Sequence, residues 1–297
     1  MFKALFSRFF VAFLVILGIG LLLYPDIAAW KSQYDQSLLI ESESKKIDNA
    51  QPAKEAQLAA AHRYNEALAS GALLEANQRK AKGVGDIGAA HALSSDIWDY
   101  LDILSLGNHG LMARLKIESA DIDLPVYHTS GDDVLEKGAG HLQGTSFPVG
   151  GIGTRAVITA HRGLANATMF TNLDKMRIGD DIVIEVFGEV LVYRTIETKI
   201  VNPDDTESIK ADPDRDLLTL VTCTPLGINS HRILVTGERI YPTPQADLDN
   251  AGKPSELPRF PWWAVEIAVV LIFLAWWLAR GVKAYRKQKT AAQELSQ

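Results

Sequence analysis

One cysteine, Cys223, in 297 residues excludes an internal disulfide framework and any CxxC or cysteine-rich zinc site. HExxH is absent. The Asp-rich pieces Asp121 to Asp123, Asp132-Asp133 and Asp204-Asp205 lack the ligand spacing of a calcium loop and read as solvated turns, so no metal is expected. Glycine-rich Gly144 to Gly153 does not match a phosphate loop and reads as a turn between strands; no cofactor is expected either. The main body contains no run of Lys and Arg and the net charge is −6, which leaves no basic footprint for nucleic acid. With 22% charged and 47% hydrophobic residues, the chain is too apolar and too ordinary in charge for intrinsic disorder. A mean hydropathy of +0.02 is high for a purely soluble protein, so something apolar is attached to a globular body.

The apolar excess sits at the two ends. Phe9 to Tyr24 is a run of sixteen uncharged residues, extendable through Ile27 to Trp30 after a break at Pro25-Asp26. Phe260 to Ala279 is a run of twenty residues with Glu266 as its only charge. A membrane span needs roughly 20 predominantly apolar residues, which the second run meets and the first approaches. A cleaved signal peptide shares the short basic start of the first run, but no A-x-A-like site stands near Tyr24, so a retained anchor is expected. Trp262-Trp263 and Trp276-Trp277 flank the second run, as aromatic belts do at both interfaces. Lys3 and Arg8 precede the first span, and Arg280, Lys283, Arg286, Lys287 and Lys289 follow the second, which predicts cytoplasmic termini and an external body. Only eighteen residues, Arg280 to Gln297, follow the second span, so no domain is expected beyond it.

Between the spans the chain changes texture. Leu58, Ala61, Tyr64 and Leu68 recur at helical spacing within Lys54 to Leu68, predicting a membrane-proximal helix. Gly71 to Leu93 loses that period and reads as a mobile loop. A second short helix is expected to start at Ser94 or Ser95, bury Ile97, Leu101 and Leu104, and stop at Gly107. From Leu111 the pattern becomes short β-rich runs separated by Gly, Pro and Asp: LMARLKI, LPVYH, AVITAH, DIVIEVF, EVLVYRTIETKIV, LLTLVTC and RILVTGERI. Such spacing predicts a mainly β domain, a closed or nearly closed antiparallel barrel over residues 111–241. Pro242 to Pro261, with five prolines, reads as a linker.

Three strand ends carry chemistry. Cys223 closes LLTLVTC, Arg232 opens the following strand nine residues later, and His161 closes AVITAH. In an antiparallel pair the start of one strand lies beside the end of its predecessor, which brings Arg232 next to Cys223. The three supply a nucleophile, a proton carrier and a cation for an oxyanion or a substrate carbonyl, as acyl transfer requires. Cationic neighbours favour a thiolate, the reactive form. No acidic third member is apparent. Against this, a lone cysteine is more often a small buried hydrophobe. His62 and His91 are placed on a helix face or loop, and His109, His128, His141 and His231 show no partner motif. His231 competes most closely, yet neighbours along a strand point to opposite faces, so His231 and Arg232 cannot both face the thiol.

TLVTC at Thr219 to Cys223, ITAHRG around His161 and HRILVTG around Arg232 together resemble sortases. Two flanking spans, GLMARLKI and LPVYH further resemble class C sortases, the pilin polymerases of Gram-positive bacteria, especially corynebacteria and other actinobacteria. The resemblance implies an eight-stranded barrel and a cysteine transpeptidase. Cys223 would attack the Thr–Gly carbonyl of an LPxTG-type sorting signal, His161 would shuttle the proton, Arg232 would bind the carbonyl, and Thr222 would help line the oxyanion site. The acceptor implied is a Lys amine of another pilin subunit. Class C enzymes commonly hold a lid through an Asp-Pro-aromatic tripeptide, which is absent between Gly71 and Leu104; Asp96-Ile97-Trp98 is the nearest approximation, making Asp96 and Trp98 the candidate lid residues.

The expected organisation is a cytoplasmic start (1–8), a transmembrane anchor (9–30), membrane-proximal helices and a lid loop (31–110), the barrel (111–241), a linker (242–259), a transmembrane helix (260–279) and a basic cytoplasmic tail (280–297). A housekeeping sortase acting on cell-wall precursor is the nearest alternative, and the second span argues for the polymerase by family analogy. A non-catalytic wall-anchored structural protein is suggested by Leu257-Pro258 before an apolar run and a basic tail, but Arg259-Phe260-Pro261 stands where Thr-Gly would be needed. A papain-like hydrolase would place Cys before His.

Overall fold

The computed structural model describes residues 2–47, 52–70, 99–106 and 110–294. The chain forms two compact units, one of residues up to Lys31, 165–167 and Pro258 onward, the other of Ser32–Leu164 and Thr168–Leu257.

In the first unit, the opening part of helix α1 (Phe2–Ser44) packs against helix α5 (Trp262–Glu294). Both are long and apolar enough to cross a membrane. Trp30 meets Trp263 edge to face at 5.9 Å and donates to the Arg259 carbonyl, while Arg8 lies 5.2 Å from the Trp277 ring centroid. These contacts join opposite ends of the two helices, which therefore run antiparallel. The expected break at Pro25 does not occur: α1 continues through it. A proline removes one intrahelical bond and crowds the preceding turn, but good helix formers on both sides carry the helix onward.

In the second unit, Gln36, Ile40 and Glu43 recur at helical spacing on the closing turns of α1 and are buried. Gln36 donates to the Lys137 carbonyl at 3.1 Å. Helix α2 (Lys54–Ala69) buries Gln57, Ala60, Ala61, Tyr64 and Asn65, so its inward face is turned from the Leu58 and Leu68 stripe. The reason is polar pairing: Gln57 accepts from the Leu104 amide at 2.7 Å, and Asn65 accepts from the Phe147 amide and donates to its carbonyl. Buried amides that satisfy backbone groups fit a core position that hydropathy alone would refuse. Beyond α2, Asp99 caps a 3₁₀ turn at Tyr100–Asp102. Over the described part of the predicted second helix, residues 99–106, this shorter element stands instead, with Ile103 and Leu104 buried and Leu101 exposed. Ser94, Ser95 and Ile97 lie outside the described residues.

The barrel is closed, in the order β1-β2-β3-β4-β7-β8-β6-β5. Its strands are β1 (Leu111–Ile117), β2 (Ile122–His128), β3 (Ala139–His141), β4 (Thr154–Thr159), β5 (Asp181–Val186), β6 (Glu189–Val201), β7 (Asp216–Thr224) and β8 (His231–Arg239). The eight-stranded architecture is the one expected, but it is not purely antiparallel: β2–β3 and β4–β7 pair in parallel. The β2–β3 crossover includes the single turn α3 (Asp132–Leu135), and β5 and β6 intervene between β4 and β7. Strand β3, three residues long and built on Ala, Gly and His, is too short and too low in β-formers to read from pattern. A short helix, α4 (Gln245–Asp249), follows β8.

Two expectations about polar residues are overturned. Asp123 is not a solvated turn residue. It pairs bidentately with buried Arg114 at 2.7 and 2.6 Å, and Arg114 also donates to the Lys253 carbonyl at 2.8 Å. His128 and His141, without partners in the sequence pattern, pack with Tyr64, Tyr100 and Phe147 in one aromatic cluster. His141 is fully buried; Nε2 lies 2.8 Å from the Ser146 carbonyl, which makes it the donor, and Nδ1 accepts from the Tyr100 hydroxyl. Desolvation pushes its pKa down to about 4. Because the unfolded imidazole protonates near pH 6.5 and the folded one near 4, stability conferred by neutral His141 is present above pH 6.5 and is lost as pH falls through that window. Denaturant titrations from pH 7 to 4 should show His141→Phe, which keeps the ring and cannot titrate, losing less stability over this range than the wild type.

Candidate active site

The site assembles on the neighbouring strands β4, β7 and β8. Cys223 stands directly opposite Arg232 in the antiparallel β7–β8 register, so the two side chains share one face. On the other edge of β7, parallel pairing matches Thr159 with Val221, and the Ala160 amide extends the ladder to the Val221 carbonyl at 3.3 Å. The register ends at Thr159, two residues before His161, so His161 leaves β4 at the end of β7 that carries Cys223. His161 does not close β4 as the pattern suggests: the strand ends at Thr159, and the chain turns away at Gly163, whose φ is +75°.

Alternation separates an inward and an outward set. Ile158, Ala160, Leu220 and Thr222 are buried, whereas Thr159, His161, Val221 and Cys223 are half-buried. The thiol therefore opens on the outer side of the barrel wall. Thr222 belongs to the opposite set; its hydroxyl is buried and donates to the Ala160 carbonyl at 2.8 Å. It braces the His161 segment against β7 rather than presenting its hydroxyl beside the thiol, because adjacent strand residues cannot share a face.

Arg232 is held by its own loop. Nη1 donates to the Asn229 and His231 carbonyls, both at 2.9 Å, and the other guanidinium nitrogens make no hydrogen bond among the described residues. A planar five-donor cation fixed at one corner presents its other edge to a carbonyl or carboxylate. His231 pairs with Thr224, is exposed, and interacts with the Ser230 hydroxyl at 2.9 Å. No acidic side chain hydrogen-bonds His161 among the described residues, nor do His, Cys, Asp and Glu cluster there to hold a metal. Leu226 and Ile228, exposed in the β7–β8 loop, form an apolar rim. Leu226 lies so close over Gly163 that a Cβ there would come within 2.5 Å of it. The candidate lid residues Asp96 and Trp98, with the rest of Gly71 to Trp98, lie outside the described residues. Arg162, which donates to Thr224, Thr171 and Asp174, carries no signal in the sequence beyond its place beside His161.

The eight strands thus close into a mixed barrel with Cys223 and Arg232 paired on β7 and β8 and His161 two residues beyond β4. A sortase domain matches residues 115–240, and the chain belongs to the sortase family. Among solved structures, a lid mutant of Sortase A from Corynebacterium diphtheriae is 36% identical, with a TM-score of 0.53, covering 66% of this chain and 98% of that one. Sortase C of Streptococcus pneumoniae, described with its pilin substrate specificity, is 34% identical with a TM-score of 0.56, covering 69% and 98%. Sortase D of Bacillus subtilis is 30% identical over 130 residues, 42% of this chain; the chain spans 62% of that relative's length.

Proposed function

We propose that this chain is a membrane-anchored cysteine transpeptidase that polymerises pilins. The observation that carries the reading is the register: Cys223 pairs with Arg232 on β8, and β4, which ends two residues before His161, pairs in parallel with β7 up to Val221. The Cys223 sulfur attacks the carbonyl between Thr and Gly of an LPxTG-type signal, and Arg232 steadies the oxygen as charge builds on it. The C–N bond breaks as His161 gives its proton to the leaving glycine amine, leaving a thioester. A Lys amine of another pilin subunit then attacks, His161 takes its proton, and the C–S bond breaks to release an amide. One amide is exchanged for another, so no nucleotide is needed.

The pilin assignment is supported by the likeness to Sortase C of Streptococcus pneumoniae and by two apolar helices rather than one. In this reading the termini are cytoplasmic and the barrel is on the cell-wall face, supported by Lys3 and Arg8 before the first apolar run and by the cations from Arg280 to Lys289 after the second. Transfer to a cell-wall precursor amine is the second reading, since the same thioester could be resolved by either amine. The test is mass spectrometry of the full chain in detergent after incubation with an LPxTG peptide. A fragment ending in Thr and linked to Cys223 is the expected product; no adduct while a small thiol reagent still labels Cys223 would overturn the substrate assignment. Supplying a pilin lysine peptide or a wall-precursor amine then separates the two acceptors.

A further inference from the structure

Two side-chain hydrogen bonds join the segment carrying His161 to the strand carrying Cys223, and they bracket both residues. The Thr222 hydroxyl donates to the Ala160 carbonyl at 2.8 Å, and Arg162 Nη1 donates to the Thr224 hydroxyl at 3.2 Å. Cys223 lies between the two threonines, and His161 lies between Ala160 and Arg162. Thr222 and Thr224 are 1% and 9% exposed and project from the side of β7 opposite to the half-buried thiol. The link is thus made behind the site, where it cannot obstruct a substrate.

Arg162 is anchored well beyond that bond. Its side chain is 7% exposed, its Nε donates to the Thr171 carbonyl at 3.3 Å, and its Nη2 pairs with Asp174. Asp174 lies in the 3₁₀ turn Leu173–Lys175, and the Gly163 amide donates to the Thr171 hydroxyl at 3.1 Å. A guanidinium withdrawn from water needs such partners. None of the chemical steps above uses this cation. Backbone bonds hold the main chain here, the Ala160 amide to the Val221 carbonyl at 3.3 Å and the Phe170 amide to the His161 carbonyl at 2.9 Å; the Arg162 bond to Thr224 adds a side-chain tie to β7 on the C-terminal side of His161.

We propose that Arg162 is a positioning residue which, held by Asp174 and the Thr171 carbonyl, grips Thr224 and so fixes the His161 imidazole against the Cys223 thiol from the far side of the strands. The proposal rests on reading Cys223 and His161 as the reacting pair. Lysine would not substitute, because its single ammonium nitrogen cannot take the places of Nε, Nη1 and Nη2, which reach three separate acceptors.

The experiment is the pH dependence of Cys223 alkylation by iodoacetamide in the full chain in detergent, with His161→Ala defining a thiol deprived of its imidazole. Arg162→Met should move the profile at least halfway from wild type to His161→Ala, Thr224→Val should move it in the same direction, and Thr224→Ser should restore the wild-type profile. A change in melting temperature alone would not reproduce this pattern. Should Arg162→Met fail to fold, Thr224→Val, which keeps the Arg162–Asp174 pair, decides the matter. A wild-type profile in Thr224→Val, or a wild type indistinguishable from His161→Ala, overturns the proposal. No peptide substrate enters the assay, so failure of the chain to process a sorting signal would defeat the functional reading and leave this result standing.

Discussion

Cys223→Ala should abolish both the thioester adduct and peptide cleavage, with a loss of about 10⁴-fold or more, as expected when a covalent nucleophile is removed. The position tolerates the change: Cys223 is half-buried on the outer barrel wall, and alanine removes one sulfur without opening the interior. The melting temperature should therefore stay close to wild type, separating lost chemistry from lost fold. His161→Ala should fall by roughly 10²–10⁴-fold, the usual contribution of a positioned acid and base. Arg232→Ala should lose roughly 10²–10³-fold, the scale of one oxyanion donor. Rates of acyl-enzyme formation read by mass spectrometry check all three. Residual adduct formation in Cys223→Ala would show that another group is the nucleophile. Cys223 is the only cysteine in the chain, so no second thiol can confuse the result.

Asp123→Ala should destabilise the barrel by about 3 kcal/mol, because removing one partner of a buried ion pair leaves the other charge uncompensated. Arg114 and Asp123 have side chains 5% and 6% exposed and share two short hydrogen bonds, so neither can turn to water. Glu185, 3.5 Å from Arg114, keeps partial compensation and holds the loss at the lower end of the range for such deletions. The same site fastens the segment leading toward α5: Ser255 donates to Asp123, and Arg114 donates to the Lys253 carbonyl. Limited proteolysis of Asp123→Ala should accordingly cut within 250–257 sooner than in wild type. In the double variant Arg114→Met, Asp123→Ala, denaturation should recover much of the loss, since Lys116, 3.5 Å away, still pairs with Glu185 and no stranded charge remains. An unchanged midpoint in the single variant would mean that water reaches Arg114.

Seven of the eight strands are visible as β-rich runs, because alternation and β-branched residues are local properties. The eighth, Ala139–His141, exists only because two neighbours hold it, β2 in parallel and β4 antiparallel. The same distinction runs through the site. That Cys223 and Arg232 adjoin follows from two consecutive strands and a short loop, a matter of sequence separation. That the end of β4, two residues before His161, lies beside β7 depends on β4 pairing in parallel with β7 across an intervening β5 and β6, a pairing no local pattern encodes. Thr222 looks like a site residue by proximity in the chain, yet alternation turns its hydroxyl to the other side.

By itself the sequence determined the apolar ends, the positions of most strands and the cysteine, histidine and arginine available for chemistry, since hydropathy, period and residue type act over a few residues. Only the tertiary structure decided the parallel pairings, the turned face of α2, the burial of Asp123 with Arg114 and the gathering of His128 and His141 among aromatics. Each of these brings together groups distant in the chain, and their cost or benefit is set by which partner meets each polar group once water is excluded.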